Sequence, residues 1–264
     1  MRFSIITVCL NAGQDLLDTV NRTLEQTCSD FEIIVKDGGS QDGSIEALPS
    51  DPRIRLVIRQ DRGIYDAMNQ AVEEARGDYL IFMNCGDWFY GPQVLETLAK
   101  HMDSEPAYYG CCYDRPTGQV RAYPKSLTRM TCYRTMICHQ AMVYRADVLR
   151  EHPYDLSYPI LADRELLWYL VCRQKTPPVY VDVVIADYKG GGESASEKYI
   201  ARNRADQKRL MDTYFSKAEQ LRYKLAMALT FQKLRVAMSR SPRFSKYYHQ
   251  AVRKVYQWKE RLEK

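Results

Sequence analysis

No apolar run in these 264 residues approaches the ~18 to 20 apolar residues that a membrane-spanning helix needs. Eight cysteines are present but no CxxC pair, so neither a zinc ribbon nor a disulfide framework is expected, and a reduced, cytoplasmic protein is. Cys111 and Cys112 are adjacent and are expected to point to opposite faces of a strand. There is no internal repeat and no low-complexity segment. Arg2 is followed by the apolar stretch Phe3 to Leu10, which lacks a small-residue cleavage site and reads as a first strand rather than a signal peptide. The turn after it, Leu10-Asn11-Ala12-Gly13-Gln14, lacks the G-x-G-x-x-G of a dinucleotide-binding dehydrogenase. It also lacks the Gly-rich loop with a basic residue that marks sugar nucleotidyltransferases.

What is present is a chain with 45% hydrophobic residues, enough for a sizeable core. The net charge of +5 conceals an asymmetry. Residues 201–264 hold 17 Lys/Arg against 5 Asp/Glu, so a basic tail of net +12 follows a body of net −7. Such a tail predicts an anionic partner, membrane or nucleic acid. The chain divides into a domain over 1–198 and a basic helical extension over 199–264.

In the body, short apolar β-rich stretches alternate with amphipathic ones. Phe3 to Val8, Phe31 to Val35, Ile54 to Ile58 and Tyr79 to Met83 read as buried strands. Asp15 to Gln26 and Ile64 to Ala75 carry helical apolar stripes. This alternation predicts an α/β fold with a doubly wound, mostly parallel sheet flanked by helices. Ala107 to Cys112, Val120 to Tyr123, Met142 to Arg145 and Val179 to Ala186 read as later strands, and 146–172 as two helical parts broken at Pro153 and Pro159. From about Ala195 the chain reads as helical, with a break near 239–242.

Ligands of open α/β sheets bind beyond the carboxyl ends of the strands, and three polar turns fall there. The fourth strand runs into Asn84-Cys85-Gly86-Asp87, whose amide and carboxylate suit a hard cation; the alternative is an Asx-rich turn closing the strand. The second strand runs into Lys36-Asp37-Gly38-Gly39-Ser40-Gln41-Asp42-Gly43-Ser44, a loop open to close ligand approach or a plain strand-to-helix loop capped by Asp42 or Ser44. The third leads to Asp61-Arg62-Gly63-Ile64-Tyr65-Asp66.

Over roughly residues 2–195 the chain resembles the family 2 glycosyltransferases of the GT-A fold. The resemblance rests on SIITV, IIVKDGGSQDGS, RGIYDAMNQAV, YLIFMNCGDWF, HQAMVYR and LADRELLWYL, in that order. It implies that Asp37 contacts the donor base through the imide N–H of uracil, with Gly39 in the same loop, and that Thr7 and Asn11 hold the nucleoside. Asp61, Arg62 and Asp66 stand where donor contacts are expected; helix capping for Asp61 and a surface ion pair for Arg62 are the alternatives. The family's usual Asp-x-Asp is altered, with Asn84 in place of the first carboxylate and Gly86-Asp87 following. Asp87 is thereby the implied ligand of a divalent cation, Mn²⁺ or Mg²⁺, and Asn84 a contact to ribose or to metal-bound water. His139 and Gln140 are implied to line the sugar or acceptor pocket, against a structural histidine. Asp163 is the implied catalytic base, with Glu165 in reserve, against an N-cap role for Asp163.

The activity implied is inverting transfer of one sugar from a nucleotide-sugar donor, UDP-sugar favoured, to a glycan or polyprenyl-linked acceptor in surface polysaccharide or lipopolysaccharide biosynthesis. The QxxRW motif of processive members is missing. Gly190 to Ser194 reads as a loop over the donor diphosphate or as a linker. The tail, with Leu221, Leu225, Leu229, Phe231, Leu234, Val236 and Met238 among basic residues and Tyr247, Tyr248, Tyr256 and Trp258 beyond, fits a basic amphipathic helix on an anionic membrane surface, or one packed on the domain or another subunit. A cytoplasmic protein, peripheral on the inner face of the membrane, is expected, with no nucleic-acid partner. The competing class is a non-catalytic scaffold that binds membrane or partner.

Overall fold

A computed structural model describes residues 1–190 and 197–229. The first compact unit spans Met1–Tyr214. Its centre is β1 (Phe3–Cys9), buried along its whole length because nearly every side chain is apolar. β2 (Phe31–Asp37) and β4 (Tyr79–Phe82) flank it in parallel, and β3 (Ile54–Ile58) forms the edge beyond β2. The crossovers are α1 (Gln14–Leu24), which buries Leu16, Thr19, Val20 and Thr23, and α2 (Ile64–Glu74), which buries Tyr65, Ala67, Met68, Ala71 and Val72.

Beyond β4 the sheet becomes mixed. β5 (Trp88–Phe89), α3 (Val94–His101), β6 (Ala107–Asp114) and β7 (Gln119–Arg121) follow in the chain. A short helix α4 (Arg129–Arg134) and one 3₁₀ turn, His139–Ala141, lead into β8 (Met142–Arg145). Then come α5 (Ala146–Glu151), α6 (Ala162–Trp168) with a π-helical continuation over Tyr169–Gln174, and β9 (Val179–Tyr188). The nine strands lie in the order β3-β2-β1-β4-β8-β6-β9-β5, with β7 on β6. β8 is antiparallel to β4 and β6, and β9 is parallel to β6.

The register of β6 on β9 slips around Cys111. β6 is buried along nearly its whole length, Cys111 and Cys112 included. The segment after β2 holds turns and no helix: Asp42 accepts from Ser44 and from the Gly13 N–H, so it clasps two loops and caps nothing. α7 (Glu197–Tyr214) closes the first unit, where Leu210 and Tyr214 are buried. The second unit begins at Phe215 and holds α8 (Lys217–Leu229). No helix among the described residues is long and apolar enough to cross a membrane. The loop Gly191 to Ser194, the break near 239–242 and the apolar and aromatic tail positions from Phe231 onward lie outside the described residues.

Candidate active site

β1, β2 and β4 end together, and their loops carry the polar residues. The turn after β4 is closed on itself and held by Thr19 and Arg115. The Asp87 N–H donates to the Asn84 carbonyl at 2.9 Å, closing the turn. Thr19 of α1, wholly buried, donates its hydroxyl to the Asp87 carbonyl at 2.8 Å and accepts from the Gly86 N–H at 2.9 Å. Arg115 donates to the Gly86 carbonyl at 2.8 Å while its guanidinium lies 3.5 Å from the Trp88 ring centroid, with Arg22 also over that ring. Gly86 has φ 87°, a left-handed conformation that favours glycine, and a Cβ there would also press within 2.7 Å of the Lys189 side chain.

The Asp87 side chain is buried, 4% exposed. One carboxylate oxygen accepts from Gln140 Nε2 at 2.6 Å and the other from the Lys189 N–H at 2.7 Å. Burial pushes its carboxyl above the ordinary range, against the hydrogen bonds of Lys189 and Gln140. Asn84 donates its amide to His139 Nε2 at 3.0 Å, and its Oδ1 is buried without a partner. His139 Nδ1 in turn faces Asp163 Oδ2 at 3.6 Å. Asp163 Oδ1 accepts from Tyr65 Oη at 2.9 Å and from the Arg164 N–H at 2.8 Å. A continuous polar chain therefore runs Asn84–His139–Asp163–Tyr65, from the β4 turn through the 3₁₀ turn and α6 to the first turn of α2. Burial lowers the His139 imidazole's affinity for its proton, but the hydrogen bond and charge of Asp163 outweigh this, with Cys138 and Asp87 adding, so the net shift is upward.

Asp163 occupies the second position of α6, whose N-cap is Leu161 with no side-chain cap bond. It therefore does not cap the helix. Glu165 accepts from Tyr214 Oη and from His152 Nε2, the latter at 3.0 Å, and serves as a junction between α6 and α7. His152 stacks flat on Tyr169, 3.6 Å between ring centroids.

The remaining expected residues lie on β1, β2, α2 and the loops beside them. Asn11, at φ 51°, accepts the Gln41 N–H and donates its own N–H to Ser40, so it clasps the β1 and β2 loops. Thr7 is wholly buried and its hydroxyl has no partner. Arg62 and Asp66 pair with each other at 3.2 Å, with Arg62 largely exposed. Hydrogen bonding from Arg62 holds the Asp66 carboxyl below its usual range. Asp61 is not paired with Arg62; it binds Lys36 Nζ at 2.6 Å. Asp37 is 1% exposed, and its carboxylate accepts from Cys9, from the Gly39 N–H and from both the N–H and the hydroxyl of Ser40.

Two participants escape a reading of pattern alone. Tyr65 falls in the apolar stripe of α2 and looks like core. Lys36 interrupts an otherwise apolar strand, and a charge in a strand buried on both faces was the available signal that a carboxylate must meet it.

Among the described residues no three His, Cys, Asp or Glu side chains cluster as a metal centre. One carboxylate and one unpartnered amide oxygen on a rigid turn do suit a cation of the Mg²⁺ or Mn²⁺ type, which takes one or two protein oxygens and completes its shell from substrate phosphates and water.

The family model "Glycosyl transferase family 2" matches residues 4–158. A PGL/p-HBAD biosynthesis glycosyltransferase of Mycobacterium bovis is 34% identical over 203 residues, 72% of this chain and 77% of that protein. An uncharacterized glycosyltransferase of Mycobacterium tuberculosis is 30% identical over 201 residues, 72% of this chain and 75% of that protein. The fold is similar to S. aureus TarS 1-349 in complex with UDP, with a TM-score of 0.60 and 16% identity. That match covers 80% of this chain and 63% of the TarS chain, less than two thirds of it. The mannosyltransferase PcManGT of Pyrobaculum calidifontis, in complex with GDP-Man and Mn2+, gives a TM-score of 0.60 at 14% identity, covering 94% of this chain and 83% of that one.

Proposed function

The chain belongs to glycosyl transferase family 2, and from that premise we propose that it transfers one sugar, with inversion, from a UDP-sugar to a hydroxyl of a glycan or lipid-linked acceptor. The observation that carries this reading is the polar chain from Asn84 through His139 to Asp163, which ties the donor-side turn to a buried carboxylate. In the reaction the acceptor oxygen bonds to the anomeric carbon as the bond to the diphosphate breaks on the opposite face. Asp163 takes the acceptor's proton. Tyr65 and the Arg164 N–H hold one oxygen of Asp163, and His139 faces the other.

Asp87, with Asn84 beside it, would hold a divalent cation, Mn²⁺ or Mg²⁺. Such a cation supplies Lewis-acid stabilisation of the charge that builds on the departing diphosphate. Thr19, Arg115 and the Lys189 N–H prepare the turn for that task by fixing it beforehand. The UDP donor is supported by the likeness to TarS, described with UDP and with UDP-GlcNAc. A glycan or lipid-linked acceptor is supported by the mycobacterial relative, named for PGL/p-HBAD biosynthesis.

Thermal unfolding with UDP, GDP, CDP and dTDP, each with and without Mn²⁺, tests the reading. A ligand that binds only the folded state raises the midpoint. The expected result is a rise with UDP that grows with Mn²⁺ and loses its metal dependence in Asp87→Ala. No rise with any nucleotide would favour the scaffold reading instead.

A further inference from the structure

We propose that the acceptor carries an oxyanion, a carboxylate or a phosphate, close to the hydroxyl that receives the sugar, and that the guanidinium of Arg164 binds it. The inference rests on the reading of this site as that of a sugar transferase with Asp163 as its base, and it names a chemical class for the acceptor.

Arg164 follows Asp163 directly in α6 and is half-buried. Its backbone N–H donates to Asp163 Oδ1. Among the described residues its guanidinium has no hydrogen-bond acceptor and no ion-pair partner, and its Nε is buried without one. What it does meet is a ring: the guanidinium carbon lies 5.9 Å from the centroid of Trp168, one turn further along the helix. Arg2, Arg53, Arg55, Arg115, Arg129 and Arg145 are half-buried too, and the guanidinium of each donates to a carbonyl or a carboxylate. Arg164 departs from that pattern at the position next to the base. Burial pushes its affinity for the proton below the ordinary value, and the nearby charge of Asp163 does not restore it. A cation desolvated without a partner is costly, and an anion delivered by a ligand would supply the partner.

The surroundings favour the same charge. α4 packs on α6. It belongs to the stretch 115–146, which holds six Lys/Arg and no Asp/Glu, in a body whose net charge is negative. Arg134, in the last turn of α4, is exposed and has no ion-pair partner among the described residues. An anionic acceptor that brings its hydroxyl to Asp163 brings its own charge towards a carboxylate and towards the donor diphosphate. A guanidinium one residue from the base offsets that repulsion, and its planar fork orients the anion through paired N–H donors.

The test is calorimetric titration of the enzyme, loaded with UDP and Mn²⁺, with methyl glucuronide, glucose 6-phosphate and methyl glucoside. These probes share a ring and differ in the presence and kind of oxyanion. With UDP bound, the donor's own phosphate site is occupied. The wild type should bind at least one anionic probe about tenfold or more tightly than the neutral one, the value of hydrogen bonds between charged groups. The probe preferred tells carboxylate from phosphate. Arg164→Met should erase the preference, and Arg164→Lys, which keeps the charge and loses the fork, should retain part of it. Because the preference is a ratio within one variant, a reduced folded fraction cancels. A guanidinium that serves only to stack on Trp168 predicts equal wild-type affinity for all three probes, and that result would overturn the proposal. So would an undiminished preference in Arg164→Met, or binding of no probe by an enzyme that binds UDP. Failure to bind UDP at all would overturn the nucleotide-sugar reading and the proposal with it.

Discussion

Asp163 receives different neighbours on its two oxygens, and this makes its role separable from that of its supports. Oδ1 is held by Tyr65 and the Arg164 N–H, and Oδ2 faces His139. Replacing the proposed base should cost the transfer step about 10²- to 10⁴-fold, so Asp163→Asn should lose sugar transfer while keeping its UDP-dependent rise in unfolding midpoint. Tyr65→Phe removes one bond to a charged acceptor and should lower turnover about tenfold, with donor affinity unchanged; initial-rate kinetics of UDP release separate the two effects. His139 supplies an independent readout. Its imidazole should titrate above the ordinary value of ~6.5, and Asp163→Asn should bring it down, which NMR of the histidine ring protons measures. The sign for stability follows from the raised folded-state value. The contribution of His139 is full below its unfolded pKa and is lost as pH rises through the folded one. Asp163 was visible in the sequence only through its motif, because a carboxylate near the start of a helix equally predicts a cap. Tyr65 was hidden for the opposite reason: an aromatic ring on a buried stripe serves the core and the site at once.

At the level of elements, the four parallel strands and both crossover helices were legible because their periodicities are uninterrupted. The breaks were less so. The helix expected to run from about Ala195 to a break near 239 is in fact broken at Phe215–Ser216, where Ser216 and Glu219 form a reciprocal capping box at the start of α8, a Ser-x-x-Glu signal that the reading passed over. The slip of β6 on β9 was not readable, since it depends on how two strands distant in sequence meet; it lies beside Gly110, where a Cβ would stand 2.4 Å from the Val183 carbonyl oxygen. Gly77 has the same character and opens β4. A Cβ there would lie 2.5 Å from Ser4 N and 2.6 Å from the Phe3 carbonyl carbon, and the obstruction is backbone of the central strand. Gly77→Ala should therefore destabilise by about 1–3 kcal/mol, toward the upper end of overpacking costs because β1 cannot yield. Gly91→Ala, where nothing lies within 4 Å, is the matched control and should leave the urea midpoint nearly unchanged. Equal midpoints for the two variants would mean that β1 and β4 separate more readily than their burial indicates.

At the level of the whole molecule, the distribution of charge and the limits of the first compact unit lead to one experiment. The unit ends at Tyr214, whose hydroxyl donates to Glu165 and whose ring packs edge-on against Trp168, 6.0 Å between centroids. Residues beyond it carry 13 Lys/Arg against 3 Asp/Glu. On α8, Leu221 and Leu225 stand one turn apart and are 59% and 57% exposed, with Arg222 and Lys224 between them. Apolar side chains set among cations suit the surface of an anionic bilayer, where each Lys or Arg contributes on the order of 1 kcal/mol within a Debye length. A chain ended after Tyr214 should keep its response to UDP and lose sedimentation with phosphatidylserine-containing vesicles. The full chain should bind such vesicles and release them as salt rises. A chain ended at 198, the boundary suggested by the sequence, removes Tyr214 from Glu165 and uncovers the Trp168 edge. It should unfold at a lower temperature than the chain ended at Tyr214, because Glu165 loses the Tyr214 hydroxyl and the apolar cover that Leu210 and Tyr214 supply is gone. Equal unfolding temperatures would place α7 outside the cooperative unit and restore the earlier boundary. Vesicle binding that survives truncation at Tyr214 would move the membrane-binding surface onto the catalytic unit itself.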